Sequence, residues 1–158
     1  CRSSNLLPSL QKSVRQYPLL GGNGSVPDYR ILVHSDVVFF KQGLDYHEVT
    51  DQDRVKIGVL TAAAERVRPE EMRAGPNAAR FIAFLLDVAQ MQDCTHLVLS
   101  AWGCGAFHQH APTVARLFEL AFQRLDKMSY PKVVFAILDD HNSPPPGNLD
   151  AFRAVFNE

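Results

Sequence analysis

Apolar positions in the second half of the chain switch between the period of a strand and the period of a helix. Residues 97–99 form a short uncharged apolar run, followed by small residues and by the Gly-Cys-Gly of positions 103–105. A run of that length closed by glycine predicts a strand that is buried on both faces. Beyond the glycines the apolar spacing is helical, and Pro112 falls in the first turn, where a missing N–H is tolerated. A helix is therefore predicted from about 112 to 127.

The same patterns predict the remaining elements. From residue 55 onward helices and strands alternate, which predicts an α/β fold with parallel strands joined by right-handed crossovers. Further strands are predicted over 29–40 (around a Ser-Asp turn), 55–64 and 132–138, and further helices within 1–17 (capped by Ser3, Ser4 or Asn5), over 78–92 and over 149–156. The expected apolar face of the 78–92 helix consists of Ala79, Ile82, Ala83, Leu86, Ala89 and Gln90, widened by Phe81, Leu85 and Val88. An exposed loop is predicted over 41–53, a loop around a short helix over 65–77, and a further loop over 139–148.

Composition narrows the class of protein. The 158 residues suit one domain, and the 46% hydrophobic and 21% charged residues are typical of a globular protein. The net charge of −1 gives no basic field for nucleic acid or a membrane surface, so an anion would need a local site. No apolar run approaches the ~18–20 residues that span a bilayer, and the N-terminus lacks a secretory pattern.

Three widely spaced cysteines argue against a disulfide framework and favour a reducing compartment. We therefore expect a cytoplasmic protein, or a nuclear one in a eukaryote, that is not secreted. Because the sequence starts at Cys1 without an initiator methionine, we expect a piece of a longer protein or a processed product.

The stretch around 103–105 is the candidate site. A buried strand, a glycine-rich turn and a helix N-terminus let successive N–H groups form a concavity for an anion. That arrangement does not specify a ligand. Small residues at the end of the 55–64 strand have two interpretations: they line the edge of a pocket, or they pack tightly against a helix.

Residues 97–107 read Leu-Val-Leu-Ser-Ala-Trp-Gly-Cys-Gly-Ala-Phe. They resemble the "LVLGAWGCGVF" signature of microbial-type poly(ADP-ribose) glycohydrolases, a branch of the macrodomain superfamily, with Ser100 for the usual glycine and Ala106 for the usual valine. The resemblance continues in 133–139, in 151–156 and upstream in 1–6, so it covers nearly the whole chain. The 29–40 strand also resembles a family strand, with Ser35 where proline is usual.

The resemblance implies a single domain, 1–158, with a macrodomain-like three-layer α/β/α sandwich. Its mixed, mostly parallel sheet would be incomplete in this chain, without the N-terminal strands of the family. In the family the glycine-rich loop holds the pyrophosphate of ADP-ribose through its backbone, and its final phenylalanine lies against the distal ribose. The implied ligand-binding residues are Ala101, Trp102, Gly103, Cys104, Gly105, Ala106 and Phe107; for Trp102, core and pocket wall remain alternatives.

Catalysis needs an acid to protonate the departing ribosyl oxygen. The resembled family uses a glutamate pair in a "GGG…QEE" motif that precedes the residues resembling 1–4, so no catalytic residue is predicted in this chain. The adjacent Glu70-Glu71 reads instead as a solvated helix start, where glutamate is favoured by the helix dipole. We expect no metal and no cofactor.

Three functions remain open. The parent protein resembles a hydrolase that releases ADP-ribose from poly- or mono-ADP-ribosylated proteins. The chain alone could instead be a non-catalytic ADP-ribose-binding module, or one part of a split enzyme whose companion chain carries the missing segment. A third alternative is a structural fragment with a sheet edge that another chain covers.

Two rival chemistries are weaker. Cys104, between glycines at a helix N-terminus, could be a nucleophile with His108 or His110 nearby, but no orienting residue is convincingly placed. A metal site of His108, His110 and His141 lacks a completing cysteine or carboxylate. Arg2 and Arg30 could meet a phosphate, although solvated arginines are the commoner case.

Overall fold

The structure is a computed structural model that describes residues 3, 5–12, 20–21, 28–125, 132–145 and 147–156. Its backbone divides into two compact units, Cys1–Ala63 and Ala64–Glu158. The single domain predicted from the sequence stays a prediction. No helix of the described part of the chain has the length and apolarity needed to cross a membrane.

The first unit contains one α-helix, one 3-10 turn (Asp51–Asp53) and six strands among its described residues. The helix is α1 (Leu6–Lys12), and the strands are β1 (Leu20–Gly21), β2 (Asp28–Tyr29), β3 (Ile31–Phe39), β4 (Lys41–Gln42), β5 (His47–Glu48) and β6 (Val55–Ala62). The strands form three antiparallel pairs, β1 with β2, β3 with β6 and β4 with β5. No crossover helix separates β3 from β6, so the chain returns antiparallel. The predicted strands over 29–40 and 55–64 are confirmed.

The β3 strand carries the predicted Ser-Asp turn as a bulge. Its register against β6 shifts between His34 and Val37, and Asp36 has a φ of 55°. The side chain of Asn5 spans the bulge: its Nδ2 donates to the Asp36 carbonyl at 2.8 Å, and its Oδ1 accepts the Val38 N–H at 3.0 Å. The start of α1 is thereby tied to β3.

Of the three caps predicted for α1 (Ser3, Ser4 or Asn5), Ser3 bonds the start of the helix. Its Oγ accepts hydrogen bonds from the N–H groups of Leu6 at 3.2 Å and Asn5 at 3.4 Å, which satisfies two N–H groups at the start of the helix. The alternative cap Ser4, the predicted helical residues 13–17 and Arg2 lie outside the described residues.

The expectation that 55–64 is a core strand is wrong for β6. None of its residues is buried, and Val55 and Ile57 are 57% and 45% exposed. Among the described residues β6 pairs with β3 alone, so side chains that a central strand would bury stay in contact with solvent.

The second unit alternates helices and strands. Its elements are α2 (Ala78–Gln90), β7 (His96–Leu99), α3 (Ala111–Arg124), β8 (Lys132–Phe135) and α4 (Asn148–Phe156). The strands β7 and β8 pair in parallel, and α3 lies between them in sequence. The predicted α/β alternation is therefore confirmed, and the parallel pairing is limited, among the described residues, to β7 and β8. The last predicted residues of the third helix, 126–127, lie outside the described residues.

The core of the second unit is built by apolar helix faces and by phenylalanines. The ring centroids of Phe118 and Phe135 lie 5.4 Å apart, and those of Phe135 and Phe152 lie 4.9 Å apart. Full burial of one such side chain stabilises a fold by roughly 1.5–3 kcal/mol. The buried face of α2 consists of Ala78, Phe81, Ile82, Leu85, Leu86 and Ala89. The expected face is thus rotated slightly, because Ala79 and Gln90 are exposed.

The strand β7 is not buried on both faces, contrary to the expectation. Leu97 is 8% exposed, but Val98 and its register partner Val134 in β8 are 75% and 41% exposed. Successive side chains of a strand point to opposite faces. One face of the β7–β8 pair is therefore in the core, while on the other face these valines are open to solvent.

Candidate functional site

The candidate loop joins β7 to α3 in the second unit. It follows the carboxyl end of β7 at Leu99 and leads to α3 at Ala111, where Pro112 occupies the first turn as predicted. In α/β proteins, ligands bind at the carboxyl ends of parallel strands, and a helix N-terminus favours negative charge. The loop therefore lies where both effects favour an anion.

Four backbone hydrogen bonds within the loop fix its path. The N–H of Trp102 donates to the Ser100 carbonyl at 2.8 Å, and the N–H of Cys104 to the Ala101 carbonyl at 3.0 Å. Further along, the His108 N–H donates to the Gly105 carbonyl at 2.8 Å and the Gln109 N–H to the Gly103 carbonyl at 2.9 Å. The loop thus folds back on itself, which makes it a compact structure.

Four other N–H groups of the loop have no acceptor among the described residues. Between Gly103 and Phe107, the N–H groups of Gly103, Gly105, Ala106 and Phe107 donate to no acceptor in the described part of the chain, whereas the N–H of Cys104 does. Backbone N–H groups in folded proteins are nearly always paired with protein or with water or ligand. Four neighbouring donors without a protein acceptor among the described residues therefore form a surface suited to an acceptor-rich ligand.

Two glycines shape this surface in different ways. Gly103 has a φ of +79°, and a Cβ there would lie 2.8 Å from the Ala64 Cβ and 3.0 Å from the Gln109 Cδ. Only glycine meets both conditions without strain. At Gly105, an added Cβ would have nothing within 4 Å, so the backbone there is open to an incoming group.

The side chain of Cys104 turns away from this open surface. It is 1% exposed, and its Sγ lies 3.7 Å from the Trp102 carbonyl oxygen. Burial raises the pKa of the Cys104 thiol to about 12, so the thiolate needed for a nucleophile does not form at neutral pH. The geometry argues against the cysteine-nucleophile alternative.

Of the other candidate residues, some are half-buried and some are exposed to solvent. The ring of Trp102 is half-buried, and its centroid lies 5.1 Å from that of the buried Phe81 on α2. Ala101 is half-buried and Ala106 is exposed. Phe107 is 41% exposed, so its ring is available to a ligand.

Gln109, which was not among the candidate residues predicted from the sequence, is 3% exposed. Its side chain bonds the segment that precedes α2: Nε2 donates to the Glu65 carbonyl at 2.9 Å, and Oε1 accepts the Gly75 N–H at 3.3 Å. Neither its residue type nor its spacing distinguishes it from an exposed glutamine, so burial alone reveals it.

The acidic pair and the histidines show no site geometry. Glu70 and Glu71 are exposed in a 3-10 turn at Pro69–Glu71, and Glu71 pairs with Arg73 at 2.9 Å. Within the described ranges, no three His, Cys, Asp or Glu side chains are grouped as metal ligands. His110 bonds Thr113 at 2.8 Å and His141 bonds Asn142 at 3.1 Å.

No family model and no curated protein matches the sequence. The fold matches a poly(ADP-ribose) glycohydrolase variant from Deinococcus radiodurans, solved in complex with ADP-ribose, with a TM-score of 0.74 and 28% identity over 98% of this chain and 64% of that one. It also matches the enzyme from Thermomonospora curvata, with a TM-score of 0.67 and 24% identity over 98% of this chain and 57% of that one.

These matches define the class of the protein as α/β with a macrodomain-like fold. The recognition made from the sequence is confirmed, because the structural neighbours over nearly the whole chain are microbial poly(ADP-ribose) glycohydrolases. The chain spans about 64% of the length of the Deinococcus protein.

Proposed function

We propose that this chain is the ADP-ribose-binding part of a poly(ADP-ribose) glycohydrolase, with the pyrophosphate held by the loop of residues 101–107. The ligand would accept hydrogen bonds from the N–H groups of Gly103, Gly105, Ala106 and Phe107. The exposed ring of Phe107 would contact the distal ribose, and Trp102, packed against Phe81, would support the loop from the core side.

The observation that carries the proposal is the set of four neighbouring N–H groups without a protein acceptor among the described residues. A pyrophosphate supplies several charged acceptor oxygens, and hydrogen bonds to a charged group are about twice as strong as neutral ones. The net charge of −1 offers no general attraction for such an anion, so local donors must supply it. ADP-ribose in the Deinococcus complexes supports the choice of ligand.

The hydrolytic step belongs to the whole protein in this proposal. The neighbours are glycohydrolases, and the reaction would release ADP-ribose from modified proteins once a catalytic acid is supplied by a segment outside this chain. That segment would be either covalently joined or carried by a companion chain. In the alternative, the chain is a binding module without catalysis, or one part of a split enzyme. The proposal includes a reducing compartment, the cytoplasm or nucleus, which the odd number of cysteines supports.

A matched pair of glycine substitutions tests the site. Gly105→Ala and Gly58→Ala each add one methyl group, and at both positions nothing lies within 4 Å of the new atom. Both variants should fold. Isothermal titration with ADP-ribose should give micromolar binding to the original chain and to Gly58→Ala, but roughly tenfold weaker binding to Gly105→Ala, since a tenfold loss needs only about 1.4 kcal/mol.

The control separates loss of the site from loss of the fold. Equal weakening in both variants would point to a general effect of the added methyl groups and would count against the loop. Failure of the original, demonstrably folded chain to bind ADP-ribose would reject the proposal that this chain binds the ligand by itself.

A further inference from the structure

Gln109 bonds the loop to a second segment of the same unit. Residues 65–75, here termed the strap, precede α2 in the chain. Besides its two side-chain bonds to Glu65 and Gly75, Gln109 donates its own N–H to the Gly103 carbonyl at 2.9 Å. One buried residue therefore contacts the strap through its side chain and the loop through its backbone.

Two neighbours of Gln109 add further bonds to the strap. The Val67 N–H donates to the Phe107 carbonyl at 2.9 Å, and the His110 N–H donates to the Arg73 carbonyl at 3.1 Å. The strap and residues 107–110 are thus joined by four hydrogen bonds. The bonds made by Gln109 lie between the other two along the loop.

The side chain of Gln109 also packs against the glycine that the loop depends on. Its Cγ and Cδ lie 3.1 and 3.0 Å from the position that a Cβ of Gly103 would take. Gln109 therefore fills the space beside Gly103 with its side chain and donates its backbone N–H to the Gly103 carbonyl. A shift of Gln109 would be transmitted directly to Gly103 and to the donors that follow it.

We propose that Gln109 is a positioning residue, which holds the N–H groups of Gly103, Gly105, Ala106 and Phe107 in one ligand-binding arrangement. This inference rests on the proposed function of the loop. The positioning role requires a side chain that donates to the Glu65 carbonyl and at the same time accepts from the Gly75 N–H. Glutamine does both. Glutamate keeps the acceptor but has no proton for the Glu65 carbonyl, methionine keeps only the shape, and asparagine is one methylene too short to span both partners.

The test uses Gln109→Glu and Gln109→Met, with Gln109→Asn as a milder change. In folded protein, both of the first two substitutions should weaken ADP-ribose binding about tenfold or more, because the donors no longer converge. Without ligand, the amide resonances of Gly103, Gly105, Ala106 and Phe107 should move in heteronuclear NMR spectra. Gln109→Asn should fall between these variants and the original chain.

Phe118→Leu supplies the control for stability alone, since Phe118 is a buried core residue of α3 that is 1% exposed. It should lower the melting temperature and leave both the affinity and the loop resonances unchanged. If Gln109→Met lowers the melting temperature in the same way and moves neither the affinity nor the loop resonances, the positioning role is overturned.

A measurement on the original chain covers the case in which the variants do not fold. Binding and ordering are reciprocally coupled, so ADP-ribose should slow hydrogen exchange at the Gln109 side-chain amide and at the N–H groups of Gly75 and Val67. Unchanged exchange at these groups in a chain that binds ADP-ribose would overturn the inference. If the folded original chain binds no ADP-ribose, the proposed function fails, and the ligand-free resonances of the Gln109 variants still decide whether Gln109 positions the loop.

Discussion

Cys104 illustrates how the surroundings of a residue decide its chemistry. A cysteine between two glycines before a helix reads as a candidate for a lowered pKa. In the structure the thiol lies in the core, and burial raises its pKa instead. Cys104 contributes to the loop through its backbone and its packing, whereas its buried thiol is unreactive at neutral pH.

The shifted pKa of Cys104 predicts a pH effect on stability. The pKa rises from an ordinary 9.0 to about 12 in the folded chain. Below pH 9 the Cys104 thiol is protonated in both the folded and the unfolded chain, and its burial contributes fully to the free energy of unfolding. Between about pH 9 and 12 the thiol of the unfolded chain loses its proton while that of the folded chain keeps it. The unfolded chain is thereby favoured, and the contribution to stability is lost as pH rises. Urea unfolding should therefore show the stability advantage of the original chain over Cys104→Ala shrinking from about pH 9 upward.

Alkylation tests the burial of the Cys104 thiol independently. At about pH 8, iodoacetamide should modify Cys94, which is partly exposed, before the buried Cys104. Peptide mass spectrometry distinguishes the two sites. Equal rates in the folded chain, or a stability difference from Cys104→Ala that grows as pH rises further, would contradict the burial of the thiol.

At the scale of elements, α4 shows how a distant carboxylate starts a helix. Asp139, which follows β8, accepts the N–H groups of Asn148 at 2.8 Å and Leu149 at 3.1 Å with its Oδ1. These are N–H groups at the start of the helix, which have no partner within it. The cap is nine residues away from the first of these groups, so a search for capping residues next to the helix does not find it.

The cap gives a prediction for the stability of α4. Asp139→Ala should cost about 0.5–2 kcal/mol of the free energy of unfolding, as for loss of a helix cap. Asp150→Asn, which affects an exposed carboxylate 3.6 Å from Arg153, should cost less, about 0.5 kcal/mol. Chemical denaturation followed by circular dichroism measures both, and an equal or smaller loss for Asp139→Ala would refute the capping role.

The sequence predicts the helices and the longer strands well, but neither the shortest strands nor the burial of the strands. The exposed loop predicted over 41–53 contains β4, β5 and a 3-10 turn, and β1 also lies outside the predicted strands, because pairs of two residues carry no alternating pattern. The helices α3 and α4 begin within one residue of the expected positions, since Pro112 and the apolar spacing mark them directly. The apolar run in β7 is compatible with one buried face or two, because the run does not encode what packs against it. The exposure of Val98 is therefore visible only in the tertiary structure.

The candidate loop was predictable from its glycines, but its support was not. Gly103 has a positive φ, a backbone conformation that favours glycine, so the residue type itself indicates the turn. Gln109 is buried by tertiary contacts with a segment more than thirty residues earlier, and glutamine is a type that is mostly exposed. A residue whose role depends on distant partners leaves no local signal.

At the scale of the molecule, binding and catalysis are expected to separate. The chain spans about 64% of the Deinococcus protein, and its adjacent glutamates, Glu70 and Glu71, are exposed. On the proposed function, the chain alone should therefore bind ADP-ribose but release none from poly(ADP-ribosyl)ated protein, because the acid that protonates the departing oxygen is assigned to another segment.

A release assay with radiolabelled, modified protein measures this directly. Glu70→Gln with Glu71→Gln is the control for an unrecognised acid within the chain. Release by the original chain that disappears in the double variant would show that the catalytic acid lies in the strap and that the assignment of catalysis to another segment is wrong.

The donors of the loop are backbone N–H groups, and this determines which mutations can remove them. Most substitutions change a side chain and keep the N–H; among the coded residues, proline lacks it. One base change turns an alanine codon into a proline codon, whereas glycine and phenylalanine codons require two. Of the four donors without a protein acceptor in the described chain, the one at Ala106 is therefore separated from loss by a single mutational step.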